Sequence, residues 1–301
     1  MNPYESQKEV RIFEVAPRDG LQPEPVFIPT EQKIKLVDML TDAGLERIEV
    51  TSFVHPKWVP QMADAKEVYA GIKKKEGVVY NALVPNVRGL ELAIDCGFKE
   101  VVTIMSTSES HNMKNLNMTR EQSFAQIEEI NKVAKAHGVK VRSYIATTFG
   151  CPIEGPMAPE LALETALKLE SFGAYEISLG DTTGMANPKS AYELPKMIKE
   201  QLTTADLAVH YHKYHGLEFA NNLASLEAGI TIFDGAAGGL GGCPYAPGAK
   251  GNCQTEILVE MFHRMGIKTG NIDLEKLYEA GAYAQTLSTL LTSTECMSGA
   301  H

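Results

Sequence analysis

From Val10 to about Phe262 the chain alternates short apolar runs with longer amphipathic ones. Eight runs read as strands: Val10 to Val15, Arg47 to Thr51, Val79 to Leu83, Val101 to Met105, Val141 to Ala146, Tyr175 to Leu179, Leu207 to His212 and Thr231 to Asp234. Between them apolar positions recur at helical spacing. Thr30 to Ala43 opens on a threonine read as N-cap and stops at Gly44, and Thr119 to His137 likewise stops at Gly138. Eight strand–helix units with no Pro/Ser-rich linker predict an α/β fold, a (β/α)8 TIM barrel rather than a doubly wound sheet. Asp273 to Thr292 predicts one further helix. The whole chain, 1–301, therefore reads as one catalytic barrel domain, with the barrel at about 10–265 and a C-terminal helical extension at about 270–295.

One stretch breaks the rhythm. Gly235 to Asn252 holds seven glycines and two prolines in eighteen residues, so it is neither helix nor central strand. It follows the last strand and precedes the helical spacing of Gln254 to Met265, the position of a mobile active-site loop at the carboxyl end of a barrel strand. Cys243 lies in its middle. The alternative is a glycine-rich surface connection with an incidental thiol.

Composition narrows the class. Hydrophobic residues are 44% and mean hydropathy is −0.14, an ordinary globular balance. A formal charge of −10 and no basic cluster beyond Lys73-Lys74-Lys75 argue against nucleic acid. No apolar run reaches the ~18 residues of a membrane span. Five scattered cysteines, an odd number, without a secretory or transit pattern at the start, predict reduced thiols and a cytoplasmic protein.

Barrel enzymes carry their chemistry where strands end. Here strand one delivers Pro17-Arg18-Asp19-Gly20, strand two Glu49, strand six Gly180-Asp181-Thr182, strand seven His210-Tyr211-His212, and strand eight the loop with Cys243 and Asn252. His210 and His212, two apart on a strand, face one side and can bind a divalent cation. Asp19 and the Asn252 amide oxygen would complete an N2O2 set. The other reading is a hydrogen-bonded histidine pair, with Arg-Asp-Gly as turn chemistry. Arg18 is a fixed cation that could hold a carbonyl oxygen as it becomes an enolate, or a salt-bridge partner at the barrel mouth. Glu49 and Asp181 are acid/base or supporting candidates, or members of an ion-pair network. Cys243 could carry a proton if a cation lowers its thiol. His111, after strand four, faces the same end with its role open, whereas His55, His137, His263 and His301 read as incidental.

Ala16-Pro-Arg-Asp-Gly-Leu-Gln22, Ile48-Glu-Val-Thr-Ser-Phe-Val54, Pro56-Lys-Trp-Val-Pro-Gln-Met62, Glu176-Ile-Ser-Leu-Gly-Asp-Thr182 and Ala237-Gly-Gly-Leu-Gly-Gly-Cys-Pro-Tyr245 together resemble the 3-hydroxy-3-methylglutaryl-CoA lyase family. The resemblance runs from Val10 to about Tyr283. It implies Mg2+ or Mn2+ held by Asp19, His210, His212 and Asn252, with Arg18 on the thioester carbonyl and Cys243 as the loop cysteine. Glu49, Asp181, Glu256 and Gln22 would support them. The implied substrate is a small acyl-CoA, the implied assembly a homodimer, with no nucleic-acid or membrane partner. The implied reaction is a retro-Claisen cleavage to acetoacetate and acetyl-CoA, with Arg18 holding the enolate until it is protonated. One run departs from the family pattern: after His212 come Lys213, Tyr214 and His215, where an acidic or amide residue, threonine and an aromatic or arginine are usual. That departure keeps two alternatives in view, a lyase for a related hydroxyacyl-CoA such as citramalyl-CoA, and a catalytically impaired acyl-CoA-binding barrel.

Overall fold

A computed structural model describes residues 7–241 and 251–288 of the chain. Eight parallel strands close on themselves in sequence order: β1 (Arg11–Glu14), β2 (Arg47–Ser52), β3 (Val79–Leu83), β4 (Glu100–Ser106), β5 (Lys140–Ala146), β6 (Glu176–Asp181), β7 (Asp206–Tyr211) and β8 (Ile232–Gly235). All eight expected strands are present. The helices are α1 (Thr30–Asp42), α2 (Ala65–Gly71), α3 (Val87–Cys96), α4 (Glu109–Leu116), α5 (Arg120–Ala136), α6 (Pro159–Phe172), α7 (Pro188–Lys199), α8 (Leu217–Glu227), α9 (Thr255–Arg264) and α10 (Leu274–Leu287).

Local signals account for most helix ends. Thr119 caps α5 in a reciprocal box with Gln122, and Gly138 follows at φ 65°. Asn187 caps α7 in a second reciprocal box, with Ser190, and Asn86, Ser108 and Asp273 cap α3, α4 and α10 by accepting a backbone N–H alone. Thr30 corrects the expectation for α1. Pro29 occupies the cap position, Thr30 is the first helical residue, and its hydroxyl donates to Asp64 Oδ2 at 2.8 Å instead. The extra C-terminal helix forms as α10 over a shorter span than expected, and residues 289–301 lie outside the described part.

The chain builds two cores of opposite character. Outside the sheet, Leu36, Leu90, Ile127, Leu169, Ile198 and Phe262 pack from the helices against outward strand residues such as Ile48, Ile177, Val209 and Phe233. Inside, the lumen is ionic. Arg142 donates to Asp234 Oδ1 at 2.6 Å and to Glu176, and Arg47 reaches the other Glu176 oxygen at 2.7 Å and Glu100 at 3.4 Å. Phe13 lies under the Arg142 guanidinium, 3.8 Å from ring centre to Cζ. Charges so buried are tolerated because each is paired.

A second buried carboxylate ties the ends of the barrel seam. Glu14 at the end of β1 accepts from Ala16 N at 2.8 Å, from Ala237 N at 2.9 Å and from Thr255 Oγ1 at 2.7 Å. It thus joins the first βα turn, the turn after β8 and the start of α9. Burial raises its pKa from 4.5 to about 7, against the lowering effect of those three donors. A carboxyl with a raised folded value stabilises only below its unfolded value, so stability falls as pH climbs from about 4.5 to about 7. Glu14→Gln keeps the oxygen that two backbone amides use and abolishes the titration. The melting temperature of the variant should decline less than the parent's between pH 5 and pH 8, and identical slopes would show that Glu14 does not titrate there.

Candidate metal and catalytic centre

The turn after β1, Ala16–Gly20, is one wide helical turn in which the amides of Asp19 and Gly20 both reach the Val15 carbonyl, at 2.8 and 3.2 Å. Such widened turns recur at functional sites. This one holds Arg18 inward, with a side chain 5% exposed, and leaves Asp19 26% exposed at the mouth. Arg18 donates Nη1 to Asp19 Oδ1 and Nη2 to Glu49 Oε2, each at 2.7 Å. Tyr144 donates its hydroxyl to the same Glu49 oxygen at 3.1 Å.

On the far side of the β1–β8 seam, alternation along β7 turns His210 and His212 into the lumen and Tyr211 outward, where its hydroxyl meets Ser225 at 2.7 Å. The imidazole centres are 5.2 Å apart. One ligand atom from each of Asp19, His210 and His212 lies within 4.8 Å of the others. Asn252 is brought in by a short antiparallel bridge to His212, flanked by Lys213 N to Gly251 O at 2.8 Å and Cys253 N to Tyr211 O at 3.0 Å. Its Nδ2 donates to Asp19 Oδ2 at 2.8 Å and to Leu240 O at 3.0 Å, and its buried Oδ1 has no partner among the described residues. Gly241 lies against this amide, and a Cβ there would stand 2.6 Å from Asn252 Nδ2.

The electrostatics suit a cation. Burial would raise Asp19, but Arg18, then His210 and His212, hold it at about 2. Burial and the neighbouring His210 lower His212 to about 4. Both are therefore unprotonated at neutral pH. His210 is lowered by burial but raised on balance by Asp234, whose Oδ2 is 3.3 Å from its Nδ1 without the alignment of a hydrogen bond. Asp234 is itself fixed by Arg142 and by Ser178 Oγ at 2.8 Å. Among the described residues, the ion pairs of the lumen comprise Arg18, Arg47 and Arg142 against Asp19, Glu49, Glu100, Glu176 and Asp234, formally two negative charges in excess. Orphaned buried acceptors beside such an excess fit a divalent cation held by Asp19, His210, His212 and Asn252.

The structure does not bring every expected residue here. Asp181 pairs in register with Tyr211 and shares its outward face, and its Oδ1 accepts from Ala186 N at 3.2 Å. Burial raises it to about 7 against the donors of that loop. Glu256 sits below the centre, its two oxygens each 3.1 Å from Gly238 N. Gln22 lines the cavity one turn beyond Arg18. Cys243 lies outside the described residues. Lys213, Tyr214 and His215 are exposed, with Tyr214 resting over Gly184, so the unusual run stays out of the lumen. Asp234 and Tyr144 were missed by sequence reasoning. The available signal was that Asp234 lies near the end of the strand paired with the histidine strand, opposite His210.

Arg18, Asp19, His210 and His212 line one cavity of about 1310 Å3, which runs from the β1–β7 side across the mouth to α4 and α5. A family profile described as HMGL-like matches residues 9–283. The mitochondrial hydroxymethylglutaryl-CoA lyase of Bos taurus is 48% identical over 276 residues, 92% of this chain and 85% of that protein. The crystal structure of the Bacillus subtilis HMG-CoA lyase superposes with a TM-score of 0.90 at 44% identity, covering 96% of this chain and 98% of that one. An HMG-CoA lyase from Acinetobacter baumannii in complex with coenzyme A and 3-methylmalate gives 0.88 at 38% identity, covering 95% of each.

Calorimetric titration with Mn2+ tests the ligand assignment. His212→Ala should weaken binding at least 10-fold and Asp234→Asn about 10- to 100-fold, whereas Lys213→Asp, outside the lumen, should stay within about 2-fold. Parental affinity in His212→Ala would remove that residue from the set.

Proposed function

The chain belongs to the HMGL-like family, and we propose from its barrel-mouth geometry that it is a divalent-metal-dependent carbon–carbon lyase, splitting 3-hydroxy-3-methylglutaryl-CoA into acetoacetate and acetyl-CoA. The observation that carries this reading is the meeting of a buried arginine with Asp19, His210, His212 and Asn252 at the edge of one large cavity. The cation is Mg2+ or Mn2+, since a mixed carboxylate, amide and imidazole set with room for substrate oxygens suits these ions. When bound it supplies a Lewis acid for the substrate hydroxyl and a carboxylate oxygen.

The chain's own groups do the rest. A base at the site takes the tertiary hydroxyl proton, the C3–O bond becomes the ketone carbonyl, and the C2–C3 electron pair moves to the thioester, forming the acetyl-CoA enolate. Arg18 holds that enolate oxygen; its guanidinium is locked by Asp19 and Glu49, so it needs no reorganisation during the step. Glu49, whose pKa burial raises against the pull of Arg18, acts as the anchor of that arginine, with Tyr144 behind it. Asp181 positions the loop after β6 through Ala186. Glu256 and Glu14 fix the turn that leads into the glycine loop. Cys243 returns a proton to C2 of the enolate. A homodimer in the cytoplasm completes the reading; the odd count of scattered cysteines supports the reducing compartment, and Cys96, Cys151 and Cys253 are free thiols.

A coupled assay for acetyl-CoA release over a panel of hydroxyacyl-CoAs tests the assignment, and preference for citramalyl-CoA over the methylglutaryl ester would overturn the substrate. In the same assay Cys243→Ser should lose about 10^2- to 10^4-fold in kcat with unchanged Mn2+ affinity, because a serine hydroxyl is too weak an acid to exchange protons near pH 7. Turnover within a few fold of the parent would remove Cys243 from the chemistry.

A further inference from the structure

The cavity is far larger than a six-carbon acyl group requires, and beyond the metal centre its wall is built by α4, the turn after it and α5. His111, in the first turn of α4, is 3% exposed and lines that wall. Its Nδ1 is 2.6 Å from Ser106 Oγ, and its backbone N–H donates to the capping Ser108 Oγ at 3.0 Å. Ser108 in turn donates to Glu154 at 2.7 Å and accepts from Cys151 Sγ at 3.0 Å. The next residue, Asn112, accepts from Ser106 N at 2.9 Å and donates to Ser123 Oγ at 2.7 Å and to Met118 O at 2.8 Å. An eight-residue helix held by so many side-chain bonds at its start is a rigid platform. No described residue offers a partner to Nε2, the nitrogen left over. An almost wholly buried imidazole that lines a ligand cavity, with one nitrogen fixed and the other not enclosed by protein, is placed to offer that second nitrogen to a ligand.

The surroundings indicate what meets it. The wall mixes amide side chains, Asn86, Asn117 and Gln126, with Ile104, Leu116 and Met118. That pattern matches a chain of methylenes interrupted by amides, the chemistry of the pantetheine arm of a coenzyme A thioester. It does not match a diphosphate, for which Lys114 alone is too little charge, nor the acyl carboxylate, which belongs with the candidate cation at Asp19, His210, His212 and Asn252. Burial and the nearby Lys114 push the His111 pKa down, so the ring is neutral and can donate to an amide carbonyl or accept from an amide N–H. We propose that His111, oriented by Ser106, hydrogen-bonds an amide of the thioester's long arm and so sets the enzyme's preference for full-length coenzyme A thioesters over truncated ones. This rests on the lyase reading above and adds the recognition of the substrate arm.

The test compares two substrates carrying the same 3-hydroxy-3-methylglutaryl group, the CoA thioester and the S-ethyl thioester, which has no amide. His111→Phe should raise KM for the CoA thioester about 10-fold, leave kcat within about 2-fold, and leave kcat/KM for the S-ethyl thioester unchanged. His111→Gln, which restores a donor and an acceptor, should recover most of the loss. Ser106→Ala should fall between, since it frees the ring without removing it. Equal losses on both thioesters, or no loss on either, would overturn the proposal. Mn2+ affinity and melting temperature, measured alongside, separate a disturbed fold from a lost contact. Titration with coenzyme A alone separates failure of this proposal from failure of the lyase reading. If the parent cleaves no methylglutaryl thioester, weaker coenzyme A binding by His111→Phe than by the parent still supports the contact, and equal binding refutes it.

Discussion

The pairing of charges buried inside the barrel is the constraint from which the rest of this structure follows. Arg47, Arg142, Glu100, Glu176 and Asp234 occupy space that branched aliphatic side chains commonly fill in such barrels. Desolvating any one of them alone would cost several kcal/mol, so each must meet an opposite charge at hydrogen-bond distance. Meeting that demand fixes side chains on five strands at once. Asp234 then has one oxygen committed to Arg142 and the other shared by Ser178 and His210, so a packing solution at the barrel floor becomes an orientation for an imidazole at its mouth. The hydrophobic layer outside the sheet supplies most of the burial, and the ionic layer inside supplies the register of the site.

Much of this was legible because it is local. Period-two alternation, glycine stops and the Thr119 box depend on neighbours in sequence, and the strands and α5 followed from them. The inward direction of His210 and His212 was legible for the same reason. What escaped was set by closure of the sheet. Asp234 reads as an ordinary strand residue until β7 and β8 are in register, and Glu14 looks like one more strand carboxylate until Ala16, Ala237 and Thr255 converge on it. Asp181 differs in the other direction. Its place at a strand end suggested chemistry, yet the glycine before it takes the inward position and turns the carboxylate toward Ala186. Thr30 failed as a cap because Pro29 already occupies that position and Asp64 competes for the hydroxyl.

The departure at Lys213-Tyr214-His215 has a physical resolution. Lys213 gives its amide to Gly251 and its side chain to solvent, so a cation next in sequence to a candidate ligand does not enter the ligand field. Tyr214 is accommodated because Gly184, at φ 68°, has no Cβ to collide with it; a Cβ there would lie 2.8 Å from that of Tyr214. A change in one loop is thus matched by a vacancy in the next, and the lumen is spared.

The pinning of the glycine stretch at both its ends separates two properties that usually change together. Asn252 returns its backbone amide and its Nδ2 to the carbonyl of Leu240, so the chain leaves the centre and comes back to it at the same point. For a segment closed in this way the entropy of closure grows only with the logarithm of its length, about 0.6 kcal/mol for a doubling. Added length between Gly241 and Gly251 would therefore cost the position of Asn252 little, whereas a side chain at either glycine would collide, with the Asn252 amide in one case and with Gly239 O in the other. The barrel holds its candidate ligand by the knot rather than by the cord, so a longer or shorter cord leaves that ligand where it is.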